Sequence, residues 1–333
     1  MNGNSSAIAP SRPPLSIQGP TTTHGLAWGL LGVVAFSFTL PFTRIAVGGD
    51  SGSGLDPIVI GCGRAVIAAA LAAVVLLVRR VPVPSPGQWL RLVPVSVGVV
   101  AGFPILTSLA MRQTTAGHAA VVIGLLPAAT AVVAVLLTHE RPTPRFWLGA
   151  TLGVIATVGF TVVAHGSLGG GGVSDVYLVA AVALGALGYA QGGRMSREIG
   201  SWQTICWTLI LASPVMLAAT TVALGTRPVH ATPGQWGAFL YLAGISMFLG
   251  FFAWYRGLAI GPMTTVSQIQ LVQPVLSVIW AVVLLGEQLT PALTVGGCVV
   301  IGCAAFTVRS RVRDRTTAPG PAFVDPPGCR PRC

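Results

Sequence analysis

Pro86-Gly87-Gln88-Trp89 is written a second time, 147 positions on, as Pro233-Gly234-Gln235-Trp236. The register holds without a gap from there. Pro127 becomes Pro274, Glu140 becomes Glu287, Thr143-Pro144 becomes Thr290-Pro291, and Gly149 becomes Gly296. Residues 86–144 and 233–291 are thus one stretch used twice. Both copies are strongly apolar, and each sits in a half that reads as five membrane crossings. Five is odd, so equivalent helices are expected to run in opposite directions. Inverted repeats of this kind build secondary transporters, in which one half rocks against the other around a central site.

The composition supports a membrane chain. Of the residues, 53% are hydrophobic and 8% charged, whereas soluble domains run near ~25% charged. Apolar runs long enough to cross a bilayer as helices fall at 25–47, 57–78, 90–111, 115–138, 145–164, 175–193, 202–224, 236–256, 262–285 and 291–308. The expected fold is therefore an all-α integral membrane protein of ten transmembrane helices in two inverted five-helix repeats. The repeats span 25–164 and 175–308, joined by a Gly-rich linker at 165–174. A disordered N-terminal segment (1–24) and a disordered Arg/Pro-rich tail (309–333) are expected to flank them.

Charge orients this arrangement. The net charge is +11 and every basic residue is Arg. With the N-terminus placed inside the cell, Arg44, Arg64, Arg112 and Arg227 are the only arginines on or near the outer side. The excess of basic residues inside is the usual bias of inner loops. It predicts a multi-pass protein of the inner (plasma) membrane with both termini cytoplasmic. The basic balance orients the chain and implies no nucleic-acid partner. The expected partners are the lipid bilayer and a small-molecule substrate, and a homo-oligomer is compatible with the sequence. The run Gly169 to Gly172 has no Gly-Lys-Ser/Thr after it, so no phosphate cradle is read. Six scattered cysteines show neither CxxC nor Cys/His spacing. No cofactor, metal or catalytic set is read.

Pro127 and Pro274 fall within the fourth and ninth spans at matching positions. A proline inside a helix lacks an N–H and displaces the carbonyl four residues earlier, here that of Ile123 or Gln270. Paired interruptions are the sequence pointer to a transporter's site; the rival reading is a packing kink. The ninth span also holds Gln268, Gln270 and Gln273, whose amides need partners away from lipid. The first half has Val121, Ile123 and Leu126 in their places, so the pocket is expected to be polar on one side only. Gln270 and Gln273 read as substrate- or water-binding groups, or as glue between helices.

Trp254 is expected to flank the cavity or to sit in an interfacial aromatic belt, with Arg256 as an anchor. Tyr189 in the sixth span, and Thr39, Pro41 and Phe42 in the first, are further polar or kinking interruptions. Arg64 lies inside the second span, where it either lines the pathway or snorkels to the surface. His118 is a candidate proton carrier near the outer turn. No Asp or Glu falls in the interior of a span, so a carboxylate relay is not expected. Glu140 and Glu287 precede Thr143-Pro144 and Thr290-Pro291 and read as structural caps of the helices that follow.

Taken together, these motifs resemble the EamA-type permeases of the drug/metabolite transporter superfamily. Each repeat ends in a proline-bearing helix, then Glu140-Arg141-Pro142-Thr143-Pro144 or Glu287-Gln288-Leu289-Thr290-Pro291, then a Gly-containing helix. Gly63-Arg64-Ala65-Val66 at the start of the second span is similar to the family pattern too, though the seventh span has no counterpart of Arg64. The resemblance implies a permease, with export mildly favoured, for a small metabolite, amino acid or toxic compound. The rivals are a non-transporting membrane scaffold or sensor and a membrane-embedded enzyme. The enzyme would need a clustered nucleophile, metal set or carboxylate pair, and the sequence presents none.

Overall fold

In a hydrocarbon solvent a backbone must satisfy its own N–H and C=O groups, which leaves helices as the way to use these apolar runs. The computed structural model describes residues 20–49, 53–138, 144–165, 172–226, 230–260 and 269–317, and all regular structure among them is helical. The first half contains α1 (Pro20–Ser37), α2 (Thr39–Ala46), α3 (Pro57–Arg79) and α4 (Pro86–Val95). It continues with α5 (Phe103–Ala110), α6 (Ala116–Ile123), α7 (Leu126–Thr138) and α8 (Pro144–His165). The second half contains α9 (Val173–Glu198), α10 (Ser201–Thr226), α11 (Pro233–Tyr241), α12 (Gly250–Ile260), α13 (Val272–Leu285) and α14 (Pro291–Thr317).

Among the described residues, 7 helices are long and apolar enough to cross a membrane, and Ile269–Leu285 and Pro291–Thr307 are shorter apolar helices. Large apolar side chains such as Leu77, Leu90, Val158 and Val283 are exposed on helix faces, which a soluble surface does not carry in such numbers. This is a multi-pass membrane protein. Glu140, Thr143, Gln268 and most of the Gly-rich linker lie outside the described residues. The last helix runs past residue 308, where hydropathy ends it, to Thr317. Arginine is a good helix former, and basic side chains suit the negative end of the helix dipole.

The repeated Pro-Gly-Gln-Trp marks a helix start in both halves. Pro86 and Pro233 open α4 and α11, where the missing N–H has no helical acceptor to lose. Gln88 Oε1 accepts from Ser85 N at 2.9 Å, and Gln235 Oε1 from Thr232 N at 2.8 Å. These are two capping boxes at equivalent positions. Both helices then loosen into π-helical turns, Ser96–Gly102 and Leu242–Leu249. Such turns widen a helix and recur at functional sites.

Short loops lead one to expect consecutive spans to be the main neighbours. Instead the tightest packing runs between the halves. α3 lies along α10, α1 along α12, α8 along α14, α5 and α7 along α9, and α6 along α13. The cause is glycine. A Cβ on Gly98 would strike the Leu184 carbonyl and the backbone of Gly188, and one on Gly188 would strike Val99 and Gly98. Lipid supplies no hydrophobic force between helices, so close backbone approach is what holds them. Gly98→Val is expected to lower the melting temperature and broaden the size-exclusion peak, since over-packing costs about 1–3 kcal/mol or more. An unchanged profile would mean that the crossing is looser than described.

Candidate functional site

Proline interrupts three helices near the middle of the bundle. Pro41 cannot donate to Ser37 O, and the chain turns at Phe38 between α1 and α2. Ser277 Oγ of α13 donates to that freed carbonyl at 2.8 Å, and Trp280 Nε1 donates to Ser37 Oγ at 3.0 Å. The first half's broken helix is thereby completed by the second half. Phe38 and Trp280 stack with ring centres 4.4 Å apart.

At Pro127 and Pro274 the helices are interrupted rather than kinked. Each stands in the first turn of a new helix, α7 or α13. Before Pro127 the chain leaves α6 through Gly124 and Leu125, and before Pro274 it passes through a 3₁₀ turn at Ile269–Leu271. The break precedes each proline because the ring has no N–H for the carbonyl four residues earlier, Ile123 O or Gln270 O, and pushes that carbonyl away.

The two breaks face each other across a small cavity lined by Leu40, Ala120, Ile123, Leu126, Pro127, Gln270, Gln273, Pro274 and Ser277. Leu40, Ile123 and Gln273 also line a second cavity. Its other walls include Phe36, Thr39, Arg64, Val99, Tyr189, Ser246 and Phe251. Val99 and Ser246 come from the two π-helical turns, and Thr39 Oγ lies 2.8 Å from Ser246 Oγ. The two cavities share walls and form one central site at the seam of the halves.

Four of the six sequence candidates meet there: Gln270, Gln273, Tyr189 and Arg64. Gln270 is 4% exposed, and its Nε2, like Oε1 of Gln273, is shut off from solvent without a hydrogen-bond partner. Ile123 and Leu126 occupy the positions that match Gln270 and Gln273, so the site is polar on one side and greasy on the other. Arg64 does not snorkel. It is 1% exposed, and its Nε and Nη2 are buried without partners. Its helix, α3, is packed between α5 and α10.

The other two candidates lie elsewhere. Trp254 lines neither cavity. It is 3% exposed and packed on α1, where a Cβ at Gly32 would meet its backbone. Arg256 beside it lies over the Trp28 ring at 5.1 Å, as an anchor would. His118 sits at one end of the bundle, its Nε2 2.7 Å from Asp175 Oδ1 of α9. Asp175 is 7% exposed, so a buried carboxylate is present where none was expected. Sequence reading passed it over because it falls on the first turn of a helix.

The same end is closed by further contacts between halves. Glu287 does not cap the helix that follows it. Its carboxylate accepts from Ala116 N and Gly117 N, both at 2.7 Å, at the start of α6 in the other half. Thr115 Oγ takes the next donor, His118 N, at 3.2 Å. The free N–H groups of α6 are thereby satisfied. Thr290 Oγ accepts from Leu293 N at 3.2 Å at the start of α14. Gln235 Nε2 donates to Ser53 O at 2.6 Å. At the opposite end Arg91 meets Glu198 at 2.9 Å, with both side chains largely solvated.

A narrow site at the seam of two interlocked halves, closed at one end by polar bonds, suits solute passage. Known proteins agree with it. The EamA-like transporter family matches residues 23–162 and 173–309. The chain is 40% identical over 296 residues to the uncharacterized transporter YdeK of Bacillus subtilis, covering 86% of this chain and 98% of that protein. It is 26% identical over 304 residues to a probable terminal-alkyne amino-acid exporter of Streptantibioticus cattleyicolor, covering 88% of this chain and 97% of that one. A crystal structure at 18% identity shares the fold, with a TM-score of 0.60 over 88% of this chain and 99% of that chain. With both halves matched and the site lying between them, this chain is a transporter belonging to the EamA-like transporter family.

Proposed function

We propose that this transporter is a ten-helix secondary permease that exports a small organic solute across the cell membrane by alternating access. The ten helices are the seven long spans, the two shorter apolar helices and Pro144–His165, arranged as inverted repeats with both termini cytoplasmic. The observation that carries this reading is the meeting of the broken α6–α7 and 3₁₀–α13 segments at one cavity holding buried polar atoms without partners. Half-helix ends at a central site are where transporters hold solutes. Export is supported by the name carried by the Streptantibioticus relative.

The test is transport by the purified protein in liposomes. Vesicles are loaded in turn with amino acids, nucleosides, sugars and cationic dyes, and release and counterflow are followed. At least one class is expected to exchange faster than in empty vesicles, and Gln273→Ala is expected to slow that exchange at least tenfold. If no class exchanges and cells expressing the protein export nothing new, a scaffold or sensor is the better reading. In cells, export should appear as resistance to the carried compound, and sensitisation instead would reverse the direction.

A further inference from the structure

A guanidinium cannot lose its proton at any accessible pH, so Arg64 brings a full charge into the membrane interior. Burying an unpaired charge is expensive and defaults to a functional explanation. The four acids whose side chains the structure describes are engaged elsewhere. Asp56 accepts from Ile58 N, Asp175 meets His118, Glu198 meets Arg91, and Glu287 holds the start of α6. The cavity wall that includes Arg64 carries no carboxylate of any kind. Two of the guanidinium's nitrogens, Nε and Nη2, are buried without acceptors. These are the adjacent pair that a carboxylate engages with two parallel bonds. The same cavity wall carries Phe36, Tyr189 and Phe251.

From these observations we infer that the solute is an organic carboxylate, with its carboxylate paired to Arg64 and its apolar body against Phe36, Tyr189 and Phe251. The inference rests on the permease reading and narrows it. Among the described residues the cation has no counter-ion, and the solute brings one. Solute charge and protein charge then cross into the low-dielectric site together, where either alone would be disfavoured. Arg64 is in this account the specificity-determining residue, and neutral amides of the same shape are rejected because they leave the guanidinium unpaired.

The experiment compares matched acid and amide pairs on the full-length protein in detergent: 4-methylvalerate with 4-methylvaleramide, L-leucine with L-leucinamide, and L-phenylalanine with L-phenylalaninamide. Thermal shift and equilibrium binding are read for each, with sodium chloride titrated separately. At least one acid is expected to stabilise the protein while its amide does not, because a ligand of the folded state raises apparent stability. Arg64→Lys is expected to weaken that acid on the order of 30-fold or more, and Arg64→Met to abolish its shift. Should Arg64→Met fail to fold, the acid-against-amide comparison on the wild type still decides.

Equal binding of an acid and its amide, a shift that survives Arg64→Met, or stabilisation by chloride alone would each overturn the inference. None of these touches the transport reading if liposomes still exchange a neutral solute. If no acid binds while a nucleoside, sugar or dye is carried, only the carboxylate assignment falls. If nothing binds and nothing is carried, both fall together.

Discussion

Glu287→Ala is expected to destabilise the protein by about 1–3 kcal/mol, because it leaves two backbone donors at a helix start without their charged acceptor. Ala116 N and Gly117 N each lie 2.7 Å from a different oxygen of this carboxylate. A carboxylate at a helix N-terminus also meets the positive end of the helix dipole. Glu287→Gln keeps one acceptor oxygen and turns an amide N–H toward the second donor, so it should lose roughly half as much. The change is expected to act beyond stability, since the bond ties the first half to the second at the closed end. Hydrogen exchange at residues 116–118 should quicken in Glu287→Ala, reporting local opening. If exchange there and the melting temperature both match wild type, Glu287 does not hold this end.

Arg64→Met is expected to do the opposite in the absence of solute: raise the melting temperature while destroying binding. Methionine fills an irregular apolar site and removes a buried charge. Substituting apolar groups for buried ionic ones commonly stabilises by about 1–4 kcal/mol. A gain in stability with a loss of function marks a site whose strain serves activity. Differential scanning fluorimetry on solute-free protein gives the sign directly. A fall of comparable size would show that the guanidinium has protein partners in the resting fold, and the apparent orphan nitrogens of Arg64 would need another account.

The sequence made the scaffold legible because its signals are local. Long apolar runs read as membrane crossings, and the prolines inside them read as interruptions. Gln270, Gln273, Tyr189 and Arg64 were legible as well, since a polar group within an apolar span has few places to go. What stayed hidden depends on partners distant along the chain. Glu287 looks like the cap of its own helix until the backbone of Ala116 is brought to it from 171 residues away. His118 looks free until Asp175 arrives from α9. Trp254 aligns with a cavity-flanking helix, but its rotation about that helix is set by the close approach of Gly32. The prolines told where helices break but not on which side, and the lost bond to the carbonyl four residues earlier accounts for that.

The interlocking of the halves bears on how the protein is made. α1 packs along α12 and α3 along α10, so the early helices must wait for neighbours still to be translated. At about 5–20 residues per second, the roughly 200 residues between α1 and α12 take on the order of ten seconds or more. Throughout that interval the glycine faces of the first half have no mate, the opened carbonyl of Ser37 has no Ser277, and Arg64 lies in a half-built bundle. An insertion intermediate is therefore obligatory for this chain, and it exposes the polar groups that later line the central cavities. The nascent first half is accordingly where membrane-embedded chaperones and quality-control proteases would find something to recognise. Substitutions that leave the finished transporter intact could still lower its yield at that stage.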